Sequence, residues 1–240
     1  MKRNGWKNQI TILVLCVIVV LFWCRFSMSQ DHKVSVSLSG GAGYLPLEDW
    51  KDFATSISPG YYKMDNFGSY ANLRMSYFLT DKQAIALDIE NIKTSASLCA
   101  IVIFTNEFGD DIGNATNVIE WHFSAIPVGL SYEFYPKSTK GCISPFLGVG
   151  ASYFFSELTA KQSYLYSPYS YFLLPKSTRT GQGYGLHAYL GIRSRLTDHL
   201  MVVSRLRGRY SDGMAFSDKK GAVKVEFTGV DFTLGLGWMF

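Results

Sequence analysis

Glu120, His122 and Ser124 occupy alternate positions near the middle of the chain and carry the side chains of a hydrolytic site. A carboxylate, an imidazole and a hydroxyl can act together as orienting group, general base and nucleophile. Alternate residues of a strand share a face, but they lie roughly 7 Å apart along the backbone, which is unfavourable for a hydrogen-bonded triad. We therefore interpret them as a polar rim at the outer end of a strand, with Trp121 and Phe123 anchoring an interface. No enzymatic activity is expected.

Histidine and glycine elsewhere in the chain do not indicate a metal or a nucleotide. His32, His187 and His199 form no two-histidine spacing with a carboxylate that would favour a metal site. The glycine-rich run at residues 181–185 opens a strand and does not lead from a strand into a helix. It predicts a row of small side chains and not a phosphate-binding loop. The sequence predicts neither a metal site nor a cofactor.

The last eleven residues show the clearest strand pattern. The large apolar residues at alternate positions are Val230, Phe232, Leu234, Leu236, Trp238 and Phe240. The residues between them are polar or small except for Met239. Alternation of this length predicts a strand with one face in an apolar medium, and about 9–11 residues suffice for a transmembrane strand. The alternative is the edge strand of a soluble sheet, where a terminal aromatic residue on an apolar face would be unusual.

Residues 1–29 have the order of a secretory signal peptide. Three basic residues within the first seven positions precede an uncharged apolar run over residues 10–23, and small residues follow at positions 27 and 29. We predict cleavage after Ser29, which leaves residues 30–240 as one domain. An uncleaved anchor helix is the alternative, but the run is short for a span of roughly 20 residues. Lipid attachment at Cys24 is a further alternative, which the bulky Trp23 disfavours.

Removal of residues 1–29 changes the charge and the cysteine count. The whole chain has 23 basic and 19 acidic residues, and four of the basic residues but no acidic residue lie within the first 29 positions. The remaining chain carries 19 of each, so its composition does not indicate nucleic acid as a partner. Cys99 and Cys142 remain, and we place them near opposite ends of the domain, beyond the limit of about 7 Å between Cα atoms that a disulfide requires.

Eight segments of the predicted domain carry strand patterns separated by clusters of Gly, Pro, Asn, Asp and Ser. They are residues 33–45, 66–79, 83–96, 118–135, 143–157, 181–196, 200–212 and 223–240. Short connections at 80–82, 136–142 and 197–199 alternate with long ones at 46–65, 97–117 and 158–180 and a moderate one at 213–222. This alternation is typical of bacterial outer-membrane barrels, with short periplasmic turns and long external loops. The fold class predicted is all-β, an eight-stranded antiparallel up-and-down transmembrane β-barrel.

Two rows of side chains alternate along these segments. In the segment at 143–157, Leu147 and Val149 alternate with Gly148 and Gly150, and we assign such rows to lipid and to the barrel interior, or lumen. Aromatic residues cluster where the interfaces of a bilayer are expected. These clusters contain Tyr77, Phe78, Phe134, Tyr135, Tyr153, Phe154, Phe155, Trp238 and Phe240.

Two stretches carry a family resemblance. Residues 126–134 read IPVGLSYEF and residues 144–151 read SPFLGVGA, and they resemble consecutive strands of the small outer-membrane barrels similar to OmpA, OmpX and OmpW. The resemblance implies an integral protein of the Gram-negative outer membrane with both termini in the periplasm. It implies the lipid bilayer, lipopolysaccharide, periplasmic chaperones and the barrel-insertion machinery as partners. It also implies an insertion signal formed by Phe232, Leu234, Leu236, Trp238 and Phe240.

Strand alternation predicts a charged lumen. The arginines assigned to it are Arg74, Arg193, Arg195, Arg205, Arg207 and Arg209, and the carboxylates are Asp88, Glu90, Glu133 and Asp231. Charges in an apolar interior must be paired or solvated, which favours a salt-bridge network that fills the lumen. A narrow polar path or a site for a small anion is the alternative. A porin-sized channel is disfavoured, because pores of that kind need roughly 16 strands.

Three functions are compatible with this reading. The first is a structural or surface-interaction role with a filled lumen. In it, the apolar stretch at 98–104 and the tyrosine-rich stretch at 164–174 form hairpin extensions that pack on one another, or else an exposed patch for a partner, a glycan or a membrane surface. The second, implied by the resemblance to OmpW, is a conduit for small apolar molecules. The third is a lipid A-modifying hydrolase, because the spacing of His122 and Ser124 resembles that of lipid A deacylase barrels. In that family Asn follows the serine, whereas Ala125 follows here. We expect the first.

Overall fold

The computed structural model describes residues 33–47, 61–64, 66–105, 111–137, 142–166, 170–174, 176–218 and 221–240. The predicted signal peptide lies outside these ranges. The strands are β1 (Val34–Tyr44), β2 (Tyr61–Met64), β3 (Phe67–Thr80), β4 (Gln83–Thr105), β5 (Asp111–Phe134), β6 (Ile143–Tyr166), β7 (Ser170–Leu173), β8 (Ser177–Arg195), β9 (Leu200–Ser211), β10 (Met214–Asp218), β11 (Gly221–Val225) and β12 (Gly229–Met239). In the described part of the chain, no helix is long and apolar enough to cross a membrane.

Eight of the strands form a closed antiparallel ring in the order β1, β3, β4, β5, β6, β8, β9 and β12. The ring closes between the first and last of them, where Val36 pairs with Trp238 and Tyr44 pairs with Val230. Closure leaves none of the eight with an unpaired edge along its shared length, which is the condition for a β-structure to lie in hydrocarbon. The predicted eight-stranded barrel is confirmed.

Alternation of side chains builds an apolar belt on the outside of the ring. Large apolar side chains point outward from consecutive strands, for example Leu38 at 65% exposure and Leu234 at 54%. Tyr77, Phe134 and Trp238 form an outward aromatic row at one end of the belt, as expected at a membrane interface. Phe78, Tyr135 and Phe154 were predicted to lie at the bilayer interfaces, and this prediction was wrong: they are buried inside the barrel. Each is next to an outward residue in the chain, so the alternation along the strand turns its side chain inward.

The two ends of the barrel differ. At the first end the connections are short, namely the turn between β3 and β4 and the segments before β6 and β9. The backbone N–H of Phe240 donates to the carbonyl of Val34 at 2.9 Å, so the beginning of β1 and the end of β12 lie together at this end. Cys142 lies at this end and Cys99 on the distant half of β4, and both are free. The predicted separation of the two cysteines is confirmed.

At the second end, strands replace much of what the sequence predicts as loops. β4, β5 and β6 continue beyond the ring, and β2 and β7 pair with β4 and β6 there. The result is an outer sheet in the order β2, β4, β5 and β6, in which the far edge of β6 pairs with β8 up to Ala160 and with β7 from Ser163. Its strands satisfy one another's backbone donors and acceptors. Strand pairing therefore continues beyond the point where large apolar residues stop alternating with small or polar ones.

The predicted single strand at 223–240 is divided in two. β11 pairs with β10 to form a hairpin, and β12 begins only at Gly229. Between them, the backbone N–H of Phe227 donates to Ser211 Oγ at 2.6 Å and the N–H of Ser211 donates to Thr228 Oγ1 at 3.2 Å. These bonds replace ladder bonds and direct Phe227 into the barrel.

Candidate functional site in the barrel interior

A first cluster of buried charges lies around Asp88 on β4. Its carboxylate accepts hydrogen bonds from Arg74 on β3 at 3.0 Å and from Arg205 on β9 at 3.0 Å. Arg74 also bridges to Glu133 on β5 and donates to the hydroxyl of Tyr189. β4 and β9 occupy opposite positions in the ring, so the pair between Asp88 and Arg205 spans the lumen.

A second cluster lies further toward the outer sheet. Arg209 reaches Glu90 at 2.9 Å and Asp231 at 2.7 Å, and Arg207 reaches Asp231 at 3.0 Å. Arg207 also bridges to Glu90 across the lumen. Each guanidinium therefore contacts two carboxylates and each carboxylate contacts two guanidiniums. Since every one of these side chains is at most 4% exposed, the mutual pairing compensates for the desolvation that burial imposes.

Neutral polar groups fill the space around the first cluster. Asn72 donates to Asp88 at 3.0 Å and accepts from Arg205 at 2.6 Å. His187 lies between two hydroxyls, with Ser131 Oγ 2.8 Å from Nε2 and Ser152 Oγ 3.0 Å from Nδ1. These contacts join residues of different strands, so the network links distant parts of the wall through the interior.

Two predicted members of the network differ from the others. Arg193 is buried but lies near the end with short connections, where its Nη2 donates to the hydroxyl of Tyr135 at 2.8 Å. Its guanidinium lies 4.7 Å above the ring of Phe78, and its Nε and Nη1 have no hydrogen-bond partner in the described ranges. Arg195 is the last residue of β8 and is only half-buried.

Apolar layers close the lumen on both sides of the charges. The layer toward the short connections contains Phe78, Ala84, Tyr135, Phe146, Tyr189, Met201, Val203 and Met239. The ring of Tyr189 lies across Gly148, where a Cβ would stand 2.1 Å from the ring. Glycine is therefore the residue that permits this aromatic side chain to cross the interior.

The opposite apolar layer depends on the hairpin of β10 and β11. Phe216, Val225 and Phe227 are fully buried and pack with Leu45, Tyr70, Trp121, Phe123 and Phe154 from the wall. The ring of Phe227 stacks on Phe154 with 6.4 Å between centroids. This layer was not predicted, because residues 213–222 were expected to form a loop. The signal was the alternation of Met214 and Phe216 before a turn and of Val223, Val225 and Phe227 after it.

The set proposed for hydrolytic chemistry lies on the outer surface of the wall. His122 Nε2 is 3.9 Å from Glu120 Oε2, and the side chains are 49% and 53% exposed. This position lacks the enclosure from water in which such chemistry is effective. The interface role predicted for Trp121 and Phe123 was wrong, because both lie on the inner row in the apolar layer next to the hairpin. Among the residues with described positions, no group of three or more His, Cys, Asp or Glu is placed to hold a metal.

No protein-family model matches the chain. No curated protein matches it in sequence. The outer membrane protein OprG from Pseudomonas aeruginosa aligns in structure with a TM-score of 0.53 and 13% identity, over 89% of this chain and 99% of that chain. Neisserial surface protein A aligns with a TM-score of 0.46 and 11% identity, over 89% of this chain and 100% of that chain.

The outer membrane protein W of Escherichia coli aligns with a TM-score of 0.39 and 14% identity, over 89% of this chain and 100% of that chain. At identities this low the similarity concerns the fold. The similarity to OprG agrees with the closed ring and the outward apolar belt. The chain has the fold of the small bacterial outer-membrane β-barrels, as the sequence predicts.

Proposed function

We propose that the protein is an integral outer-membrane barrel with a closed lumen. Its role is structural, or it interacts with partners at the cell surface through its outer sheet. The observation that carries this proposal is the set of ion pairs joining β4 to β9 across the lumen. An eight-stranded barrel is only wide enough for its interior side chains. Paired guanidinium and carboxylate groups of this kind are costly to separate, because each separated charge would remain buried without a partner.

The same proposal assigns an orientation and partners. The end with short connections faces the periplasm, together with both termini of the domain, and the outer sheet faces the exterior. The apolar belt contacts the bilayer and lipopolysaccharide. Phe232, Leu234, Leu236 and Trp238 point outward from β12, where the insertion machinery can recognise them together with Phe240.

The two rival functions have less support. A conduit for small apolar molecules needs a dry gap through the lumen or a lateral opening between strands. Two apolar layers and two charge clusters occupy the lumen, and each ring strand is paired with both of its neighbours. A lipid A hydrolase needs its orienting carboxylate, base and nucleophile within hydrogen-bond reach of one another, whereas His122 Nε2 lies 3.9 Å from Glu120 Oε2. We therefore propose that the protein has no enzymatic activity.

Solute uptake by proteoliposomes tests the closed lumen. Vesicles containing the wild-type protein should swell in arabinose at the rate of protein-free vesicles, because ion pairs and two apolar layers fill the interior. Vesicles containing a porin serve as the positive control. Swelling that increases with the amount of folded wild-type protein would show a path and overturn the proposal.

A further inference from the structure

A depression interrupts the apolar belt on the outside of β6, β8, β9 and β12. Four outward residues lie in one row across these strands, with Val149 paired to Ala188, Ala188 to Gly208, and Gly208 to Val230. The two central positions are small, and a Cβ at Gly208 would meet no atom within 4 Å. The surrounding belt is built from large side chains, so the small pair forms the floor of a groove.

Large side chains flank the floor of the groove. Leu186 and Tyr210 line it on the side of the outer sheet, and the next outward pair on the other side of the floor is Leu190 and Leu206. The groove has a volume of about 890 Å³. These four side chains point outward, with exposures between 44% and 64%, so the groove opens toward lipid and not toward the lumen.

A second depression continues the first toward the outer sheet. It has a volume of about 420 Å³, and Leu186 and Tyr210 line both depressions. Its floor includes Ala151, and its upper part is formed by Tyr153 and Tyr184, whose rings meet edge to face with 5.0 Å between centroids. The hydroxyl of Tyr153 donates to Gln182 at 2.6 Å, and this hydrogen bond lies at the polar end of the second depression.

We propose that the two adjoining depressions together bind one acyl chain of lipopolysaccharide, which lies across the shared side chains of Leu186 and Tyr210. The groove is part of the lipid-facing belt, so its occupant comes from the membrane. Lipid tails are as apolar as leucine, and shape rather than hydrophobicity therefore decides which chain stays on a protein surface. A chain lying in the groove gains dispersion contacts on its floor and both walls, which a flat part of the belt does not offer.

The choice of lipopolysaccharide rests on the proposed orientation. The groove runs from the middle of the belt to its end beneath the outer sheet, which is the outer leaflet if that sheet is external. An acyl chain of this leaflet enters with its head group at the level of Tyr153 and Gln182. The opposite orientation would place the groove in the inner leaflet and make a phospholipid its occupant.

Native mass spectrometry of the delipidated, refolded protein with lipid A or phosphatidylethanolamine tests the proposal. The wild type should retain one lipid A molecule, and Gly208→Leu should weaken this binding by about tenfold, a difference of about 1.4 kcal/mol. Ala188→Leu should act in the same way and serves if Gly208→Leu does not fold. The matched control is Ala71→Leu, an outward position on β3 of the opposite wall, which should bind as the wild type does.

Three outcomes would overturn the proposal: no retained lipid on the wild type, equal lipid A binding by the groove variants and the wild type, or retention of phosphatidylethanolamine in preference to lipid A. The failure of the closed lumen is a separate result, because arabinose uptake measures the interior and the groove lies outside it. An inverted orientation is also detected separately, by labelling Cys99 and Cys142 in intact cells.

Discussion

The carboxylate of Asp88 holds guanidinium groups from two different parts of the barrel wall. It contacts Arg74 on an adjacent strand and Arg205 on the opposite strand. Alternation along a strand predicts that these three side chains point inward. It does not predict which of them meet, because partners across a barrel depend on the stagger of all eight strands and not on any local pattern.

Replacement of Asp88 by alanine should destabilise the barrel by about 3–5 kcal/mol, because two buried arginines lose a carboxylate. Urea unfolding of the protein in lipid vesicles, followed by heat-dependent gel mobility, measures this loss. Glu120→Ala is the matched control: its exposed contact with His122 should contribute less than about 1 kcal/mol. Equal unfolding midpoints for the two variants would contradict the account of the first cluster.

At the scale of elements, the sequence predicts the ring strands and the hairpin extensions beyond them, but not how far those extensions run or which strands pair there. Apolar surroundings impose a strict alternation on the wall, and that alternation is visible in residues such as Leu234 and Leu236. Beyond the ring, β4, β5 and β6 continue as a sheet without this constraint. The hairpin of β10 and β11 was missed because each of its strands has only five residues. A strand this short carries too few alternating apolar residues for the pattern to be recognised.

The hairpin should be held mainly by Phe216 and Phe227. Phe216→Ala should cost about 3–5 kcal/mol of local packing and free the hairpin while the ring remains closed. Trypsin should then cleave between β10 and β11 at least several times faster than in the wild type, with unchanged gel mobility of the uncleaved barrel. Phe67→Ala removes an outward side chain that is 70% exposed and should not alter cleavage. Unchanged cleavage in Phe216→Ala would refute the assigned role of the hairpin.

At the scale of the whole molecule, the fold follows from the closing strand, seven further segments and connections of alternating length. The orientation in the membrane is an inference from those lengths. Cys99 and Cys142 lie near opposite ends of the barrel, and they can report the orientation directly. A maleimide carrying a large polymer should label Cys99 but not Cys142 in intact cells, and both after the cells are broken.

Cys99→Ser and Cys142→Ser identify the labelled site by loss of signal. Because Cys99 is only partly exposed, Lys161→Cys, an exposed position at the base of the outer sheet, provides a second reporter. Labelling of Cys142 alone in intact cells would show that the barrel has the opposite orientation.

The ion conductance of planar bilayers tests the closed lumen most directly. The wild-type barrel should give no steady conductance steps, because Glu90 and Arg207 join opposite walls between two apolar layers. The variant Glu90→Ala/Arg207→Ala/Phe216→Ala removes both ion pairs that Glu90 makes across the lumen and part of the apolar layer next to the hairpin. Adding Asp88→Ala/Arg205→Ala/Tyr189→Ala opens the first cluster and the layer beyond it, and this combined variant should conduct. Glu120→Ala/Lys161→Ala, a pair on the outer surface, should be as silent as the wild type. Stable conductance steps from the folded wild-type protein would show that the lumen is open.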